Sequence, residues 1–196
     1  TEVVAPAGGT VTLAERDFVQ AERAIGAAVD LGDFALEALA VPHDAAAPIA
    51  CTITVQRSGA RVGIAHDMGA VPDALVPAFA RCDALLLEAN HDAEMLRTAP
   101  YAPALKARLR GGRGHIDNAT CGALAATLAH RGLRALALLH LSETNNTPAV
   151  AEAEVTRALR RAGHGTAVHA ARGRSPDALC AVGDSATFSP QLALSL

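Results

Sequence analysis

The sequence has no tryptophan, one tyrosine and four phenylalanines, so aromatic residues make up only 3% of its 196 positions. A surface that grips nucleobases by stacking needs several aromatic faces, and this composition excludes that mode of binding. No stretch of about 18 uncharged apolar residues occurs, so the pattern of a membrane-crossing helix is missing too. The four cysteines, Cys51, Cys82, Cys121 and Cys180, are widely spaced and form no C-x-x-C. Zinc-ribbon and dithiol redox motifs are thereby excluded, and the thiols read as reduced and structural, as in a cytoplasmic protein. Cys51 and Cys82 lie in apolar runs, where buried free thiols are common. The chain opens with no charged-then-apolar signal pattern, and its first residue is Thr1 rather than Met; the expectation is a processed, trimmed or partial sequence.

What the chain has instead is alanine and leucine. Apolar residues are 51% and charged residues 19%, enough for the core of one ordinary domain at this length. The net charge of −3 hides an uneven distribution. Residues 1–95 carry 14 acids and 5 bases, whereas residues 96–196 carry 6 acids and 12 bases. Such a split fits either a polyanion-facing surface in the basic half or two oppositely charged surfaces of one domain.

Periodicity predicts an α/β protein. Val3-Val4 begins a short strand, and the alanine-rich stretch from Gln20 to Val29 reads as a helix ended by Gly32. Strands are expected at Phe34 to Val41, Ala50 to Gln56, Arg61 to Ala65, Asp83 to Ala89, Leu133 to Leu139 and Thr166 to Ala170. Ser58-Gly59 marks a hairpin turn. Helices are expected at Pro72 to Ala80, Asp92 to Arg97, Pro103 to Arg110, from a cap at Asp117 or Asn118 to about Arg131, and from the Thr147-Pro148 start to Arg161. Residues from 171 onward show no clear periodicity.

Polar residues collect where the strands end. His43-Asp44, His66-Asp67, the group Glu88, Asn90, His91 and Asp92, and His140 each follow a strand, which is how an α/β scaffold presents chemistry. Histidine and aspartate suit zinc, manganese or iron. A histidine at a strand end is equally a surface or hydrogen-bonded residue, and spacing alone leaves both readings open for His43, Asp67 and His140. His66 is ambiguous beside Asp67. His130, His164 and His169 read as structural or surface residues, with His130 in a last helical turn where it suits the helix dipole.

Taken in order, "VPHDAAAP", "IAHDMG", "LLLEANHDAEML", "PYAPALKARLRGGRGHIDN" and "LLHLSETNNTP" resemble a metallo-β-lactamase-fold hydrolase, in its YycJ-like (WalJ) branch, related to RNase Z-type phosphodiesterases. The resemblance spans roughly residues 30 to 165 and falls in the C-terminal half of that fold. It implies an αββα sandwich, here lacking its N-terminal strands, with residues 1–170 as the C-terminal portion of one domain and 171–196 as an unmatched tail. It implies that His43 ligates one metal, that Asp67 bridges two, that His140 ligates the second, and that His115 contacts the scissile phosphate. Glu88, Asn90, His91 and Asp92 fall in the branch's own signature, implying support of the ligands or substrate binding. Lys106, Arg108 and Arg113 precede or flank His115 and suit a phosphate backbone, or else a solvated basic helix end.

The implied cofactors are two divalent ions, zinc or manganese, or iron. The implied reaction is metal-assisted hydrolysis of a phosphodiester, with a nucleic acid as partner, no membrane, and a cytoplasmic location. A small ester, lactone or thioester is the alternative substrate. The signature H-x-H-x-D-H does not occur in the chain, so a third reading is a catalytically incomplete piece that needs an N-terminal half. His66 also stands where the family carries a small residue.

Overall fold

A computed structural model describes residues 2–6, 19–23, 26 and 28–171, with side chains described for residue 26 and residues 28–171. Two early strands, β1 (Glu2–Pro6) and β2 (Val19–Arg23), pair in parallel. The main body is a seven-stranded sheet of β3 (Ala28–Asp30), β4 (Phe34–Ala40), β5 (Ile49–Val55), β6 (Arg61–Ala65), β7 (Ala84–Glu88), β8 (Ala135–Leu139) and β9 (Ala167–Ala170), neighbouring one another in that order. The first three pairings are antiparallel and the last three parallel. Consequently β4, β6, β7, β8 and β9 point the same way, and their carboxyl ends share one edge of the sheet.

The predicted helix over Gln20 to Val29 is not formed. Strand β2, a break at Gly26 with φ +88°, and strand β3 replace it. Alanine's helix preference is worth only tenths of a kcal/mol per residue, and ladder hydrogen bonds to β1 and β4 override it. The remaining strands and helices form where periodicity put them, within a few residues. The helices are α1 (Leu75–Phe79), α2 (Ala93–Thr98), α3 (Pro103–Arg110), α4 (Asn118–Leu128) and α5 (Pro148–Arg161). Asp92, Asp117 and Thr147 cap α2, α4 and α5 by accepting backbone N–H bonds, which satisfies amides that have no partner within the helix. Helix α4 stops at Leu128, earlier than the expected Arg131, so His130 is not in a helical turn. Its Nε2–H donates to the Cys82 carbonyl (3.0 Å) and its Nδ1 accepts from the Gly132 amide (3.0 Å).

Helices α1, α4 and α5 cover one face of the sheet. Leu75 and Phe79, Cys121, Leu124 and Ala125, and Ala151, Val155 and Leu159 pack over Leu85, Leu87, Leu136 and Leu138. The spacing of Ala151, Val155 and Leu159 places them on one stripe of α5. Residues of the opposite parity, Cys51, Ile64, Leu86 and Ala137, lie side by side across four strands and are only partly buried. Cys51, Cys82 and Cys121 are free thiols, as expected; Cys180 and the tail after residue 171 lie outside the described residues. No described helix is long and apolar enough to cross a membrane.

Candidate metal centre

The site forms at the shared edge because four parallel strands each end there in a polar residue. Asp67 follows β6, Glu88 closes β7, His140 follows β8, and His43 lies beyond the end of β4. His115 comes from the loop after α3. Ligand-type atoms of Asp67, Glu88, His115 and His140 all lie within 4.8 Å of one another. His43 joins from the side, its Nε2 3.8 Å from Asp67 Oδ1 and its ring 4.9 Å from that of His115.

Hydrogen bonds fix which nitrogen each imidazole offers. His43 Nδ1 lies 2.8 Å from the Gly114 carbonyl; a carbonyl only accepts, so Nδ1 carries a proton, and Nε2 faces the carboxylates of Asp44 (3.4 Å) and Asp67 (3.8 Å). His115 Nδ1 and His140 Nδ1 lie 2.7 Å and 3.0 Å from Glu88 Oε1. With Nδ1–H donated to that carboxylate, Nε2 is the nitrogen of each ring left to take a ligand. An imidazole held by its Nδ1–H is the arrangement that metal-binding histidines adopt. The donor set, imidazoles around a carboxylate, therefore fits a divalent ion of the zinc or manganese type.

Glu88 is completely buried. Burial pushes its carboxyl up, but hydrogen bonds from His115, from His140 and from the Met68 amide (2.9 Å) outweigh this and hold it below the usual glutamate value. The same bond to Glu88 raises His140, ahead of the opposing effect of its burial and with help from the charge of Asp67. His91, buried behind the site, is pushed down by desolvation despite the nearby Asp117.

Asp67 and His140 share a backbone peculiarity, with φ +55° and +57°. Left-handed backbone costs a side-chain-bearing residue about 1–2 kcal/mol, and such positions persist where surrounding structure holds them. A buried amide lattice does this for His140. Asn90 Nδ2 donates to the His140 carbonyl (2.9 Å), and the Asn90 carbonyl accepts from Ser142. Asn146 donates to the Ala89 and Asn90 carbonyls and exchanges side-chain bonds with Asn118.

Of the residues singled out in sequence, Asp67, Glu88, His115 and His140 come together and His43 flanks them. Asn90 supports the His140 backbone. His91 lies buried beside Asn90 (Nδ1 to Oδ1, 3.4 Å). The Asp92 carboxylate caps α2. The basic residues have partners within the chain: Lys106 Nζ donates to the Arg97 carbonyl (2.6 Å), Arg108 Nε to Asp44 Oδ2 (2.8 Å), and the Arg113 guanidinium to the His43 carbonyl (3.3 Å). Sequence reasoning missed Asn118 and Asn146, and also the close contact of Gly69 with the backbone of Gly112, Arg113 and Gly114. The N-N-T-P and H-I-D-N strings were visible, but amide pairing across 28 residues has no local signature.

A helix-covered mixed sheet with its polar centre at the carboxyl edge is the architecture of the metallo-β-lactamase fold, and solved structures bear this out. YhfI from Bacillus subtilis, described as a metallo-β-lactamase fold protein, superposes with a TM-score of 0.60 at 18% identity, over 79% of this chain and 54% of its own. Zn(2+)-bound PqqB from Methylobacterium extorquens gives 0.53 at 18% identity, over 78% and 51%. The chain thus has the metallo-β-lactamase fold. Within that fold its sequence resembles the YycJ/WalJ branch. Exodeoxyribonuclease WalJ of Streptococcus pneumoniae is 32% identical over 145 residues, 74% of this chain and 53% of that protein. Exodeoxyribonuclease YycJ of Bacillus anthracis is 29% identical over 141 residues, 72% and 53%. The chain spans about half the length of these relatives. No family model matches it.

Proposed function

We propose that the chain carries the Asp67 side of a divalent-metal hydrolase that cleaves phosphodiesters, with DNA as the substrate class. The observation that carries this reading is the ring of imidazoles around Asp67, with Nδ1 of His43 held by the Gly114 carbonyl and Nδ1 of His115 and His140 held by Glu88. Similarity to two exodeoxyribonucleases supports DNA over a small ester.

His43, Asp67 and His140 would hold the divalent ions. Bound divalent ions lower the pKa of a water and stabilise charge on the attacked phosphate. Glu88 holds His115 and His140 in one tautomer and one orientation. His115, fixed at 2.7 Å to Glu88, offers its ring to the phosphate oxygens or the leaving group. Arg108 and Arg113 brace the loop that carries His43 and line the approach for a negatively charged backbone. The H-x-H-x-D-H ligands are absent from the chain, so three of these metal ligands alone would form half of a two-metal site.

The test compares bis-p-nitrophenyl phosphate, single- and double-stranded DNA, and a lactone as substrates. It uses the protein expressed from its complete coding sequence, with manganese or zinc. Phosphodiester cleavage that His140→Ala abolishes supports the reading. Turnover of the lactone alone, or phosphodiester cleavage that survives both chelation and His140→Ala, overturns it.

A further inference from the structure

We propose that His66 is a positioning residue that fixes the orientation of the Asp67 carboxylate toward the metal site. This rests on the proposed ligand role of Asp67. The two oxygens of Asp67 have different surroundings. Oδ1 faces inward, 3.3 Å from His140 Nδ1 and 3.8 Å from both His43 Nε2 and His115 Nδ1. Oδ2 faces His66, whose Nδ1 lies 3.2 Å away. A carboxylate only accepts, so His66 Nδ1 carries the hydrogen.

The pairing is a product of backbone shape. Consecutive side chains on a strand point to opposite faces, and His66 and Asp67 follow β6 directly. The left-handed turn at Asp67, φ +55°, folds the two side chains onto each other. The His66 ring is about half exposed and lies 6.1 Å from the His140 ring, tilted by 49°. It therefore extends the series His43–His115–His140, whose neighbouring rings are 4.9 and 5.0 Å apart, out to the mouth of the site. Four imidazoles then surround one carboxylate, three on Oδ1 and one on Oδ2. Without His66 only the inward contacts of Oδ1 restrain the carboxylate, and its orientation is less sharply preset.

Hydrogen-bonded partners of metal ligands change metal affinity by about 10–100-fold. The His66 ring is wet, so water replaces part of its bond, and the expected loss is about 10-fold. The experiment titrates manganese and zinc into the wild-type chain and into His66→Ala, His66→Phe and His66→Asn, with melting of each metal-free variant as the fold control. Asparagine can place an amide N–H near the position of Nδ1, whereas phenylalanine keeps a ring without a donor. The proposal expects Ala and Phe to bind about 10-fold more weakly, Asn to restore most of the affinity, and all metal-free melting temperatures to agree. Nitrogen NMR of the metal-free wild type should show His66 with the proton on Nδ1. Ala and Phe binding like the wild type, Asn as weak as Ala, or the proton on Nε2 would each overturn it while leaving the metal centre standing. A wild-type chain that binds neither metal overturns the metal centre itself, and this role with it.

Discussion

Asp67 Oδ1 stands 3.3 Å from His140 Nδ1, and both residues hold left-handed backbone, at φ +55° and +57°. They close the turns at the ends of β6 and β8, the strands on either side of β7, so two of the three described non-glycine residues with left-handed backbone, Arg81 being the third, stand where the chemistry is placed. Glycine adopts this geometry without steric cost. Asp67→Gly should therefore leave the metal-free fold more stable than Asp67→Ala, by about 0.5–1 kcal/mol once glycine's greater chain entropy is subtracted. The same order should hold for His140→Gly against His140→Ala. Urea denaturation of the four variants in chelator measures it. Alanine variants as stable as the glycine ones would show that the turns are relaxed.

Glu88 is the buried hinge of the site, and its charge matters more than its shape. Glu88→Gln keeps the volume but turns one acceptor oxygen into a donor, facing either the Met68 amide or two Nδ1–H groups. A stability loss of about 1–3 kcal/mol is expected for such an unsatisfied buried group. The penalty should also depend on pH in the metal-free chain. Glu88 is held below its ordinary value of 4.5, so its contribution is present above that value and lost as pH falls through the lowered one. His140 is raised above 6.5, so its contribution is present below 6.5 and lost as pH rises through the raised value. The wild-type advantage over Glu88→Gln should thus be greatest between about pH 4.5 and 6.5 and shrink on both sides. Denaturant midpoints of both proteins across pH 3–9 test this; a flat difference would mean that Glu88 and His140 do not pair.

The three described thiols should be inert in the folded chain. Burial pushes Cys82 up to about 11 and raises Cys51 and Cys121 as well. Since the thiolate is the reacting form, iodoacetamide at pH 8 should label all three far more slowly in the native chain than in urea. Mass spectrometry resolves each position. Rapid native labelling of Cys121, buried between α4 and the sheet, would mean that α4 opens readily.

Much of this fold was legible because its signals are local. Alternation marked β5, the Ser58-Gly59 turn marked the hairpin, and Thr147-Pro148 marked the first turn of α5. The helix expected over Gln20 to Val29 failed because its competitors, β1 and β4, are pairing partners that a local window does not contain. The site was partly legible for the same reason. Polar residues at strand ends pointed to His43, Asp67, Glu88 and His140, and all four strands do end at one edge. The bonds that define the chemistry were not legible: His43 to Gly114 spans 71 positions, Arg108 to Asp44 spans 64, and His140 to Glu88 spans 52. Only the pairing of β7 with β8 brings the last of these within reach.

Two glycines should prove as important to the site as its histidines. A Cβ on Gly69 would collide with the backbone of Arg113, Gly112 and Gly114, and a Cβ on Gly114 with the carbonyls of Arg108 and Leu109. Neither clash can be relieved by rotating a side chain, because every opposing atom belongs to the main chain. The same contact region carries the Gly114 carbonyl that fixes the His43 tautomer and the Met68 carbonyl that accepts from Ile116 (2.9 Å), next to His115. Gly112, by contrast, has nothing within 4 Å of its would-be Cβ. Gly69→Ala and Gly114→Ala should each cost about 1–3 kcal/mol, the usual range for an atom forced into a packed space. They should also weaken metal binding, since His43 and His115 move with the loops. Gly112→Ala should be close to neutral on both counts. Denaturation and metal titration of the three variants decide it: if Gly69→Ala behaves like Gly112→Ala, the two loops do not meet, and His43 and His115 must be held by some other contact.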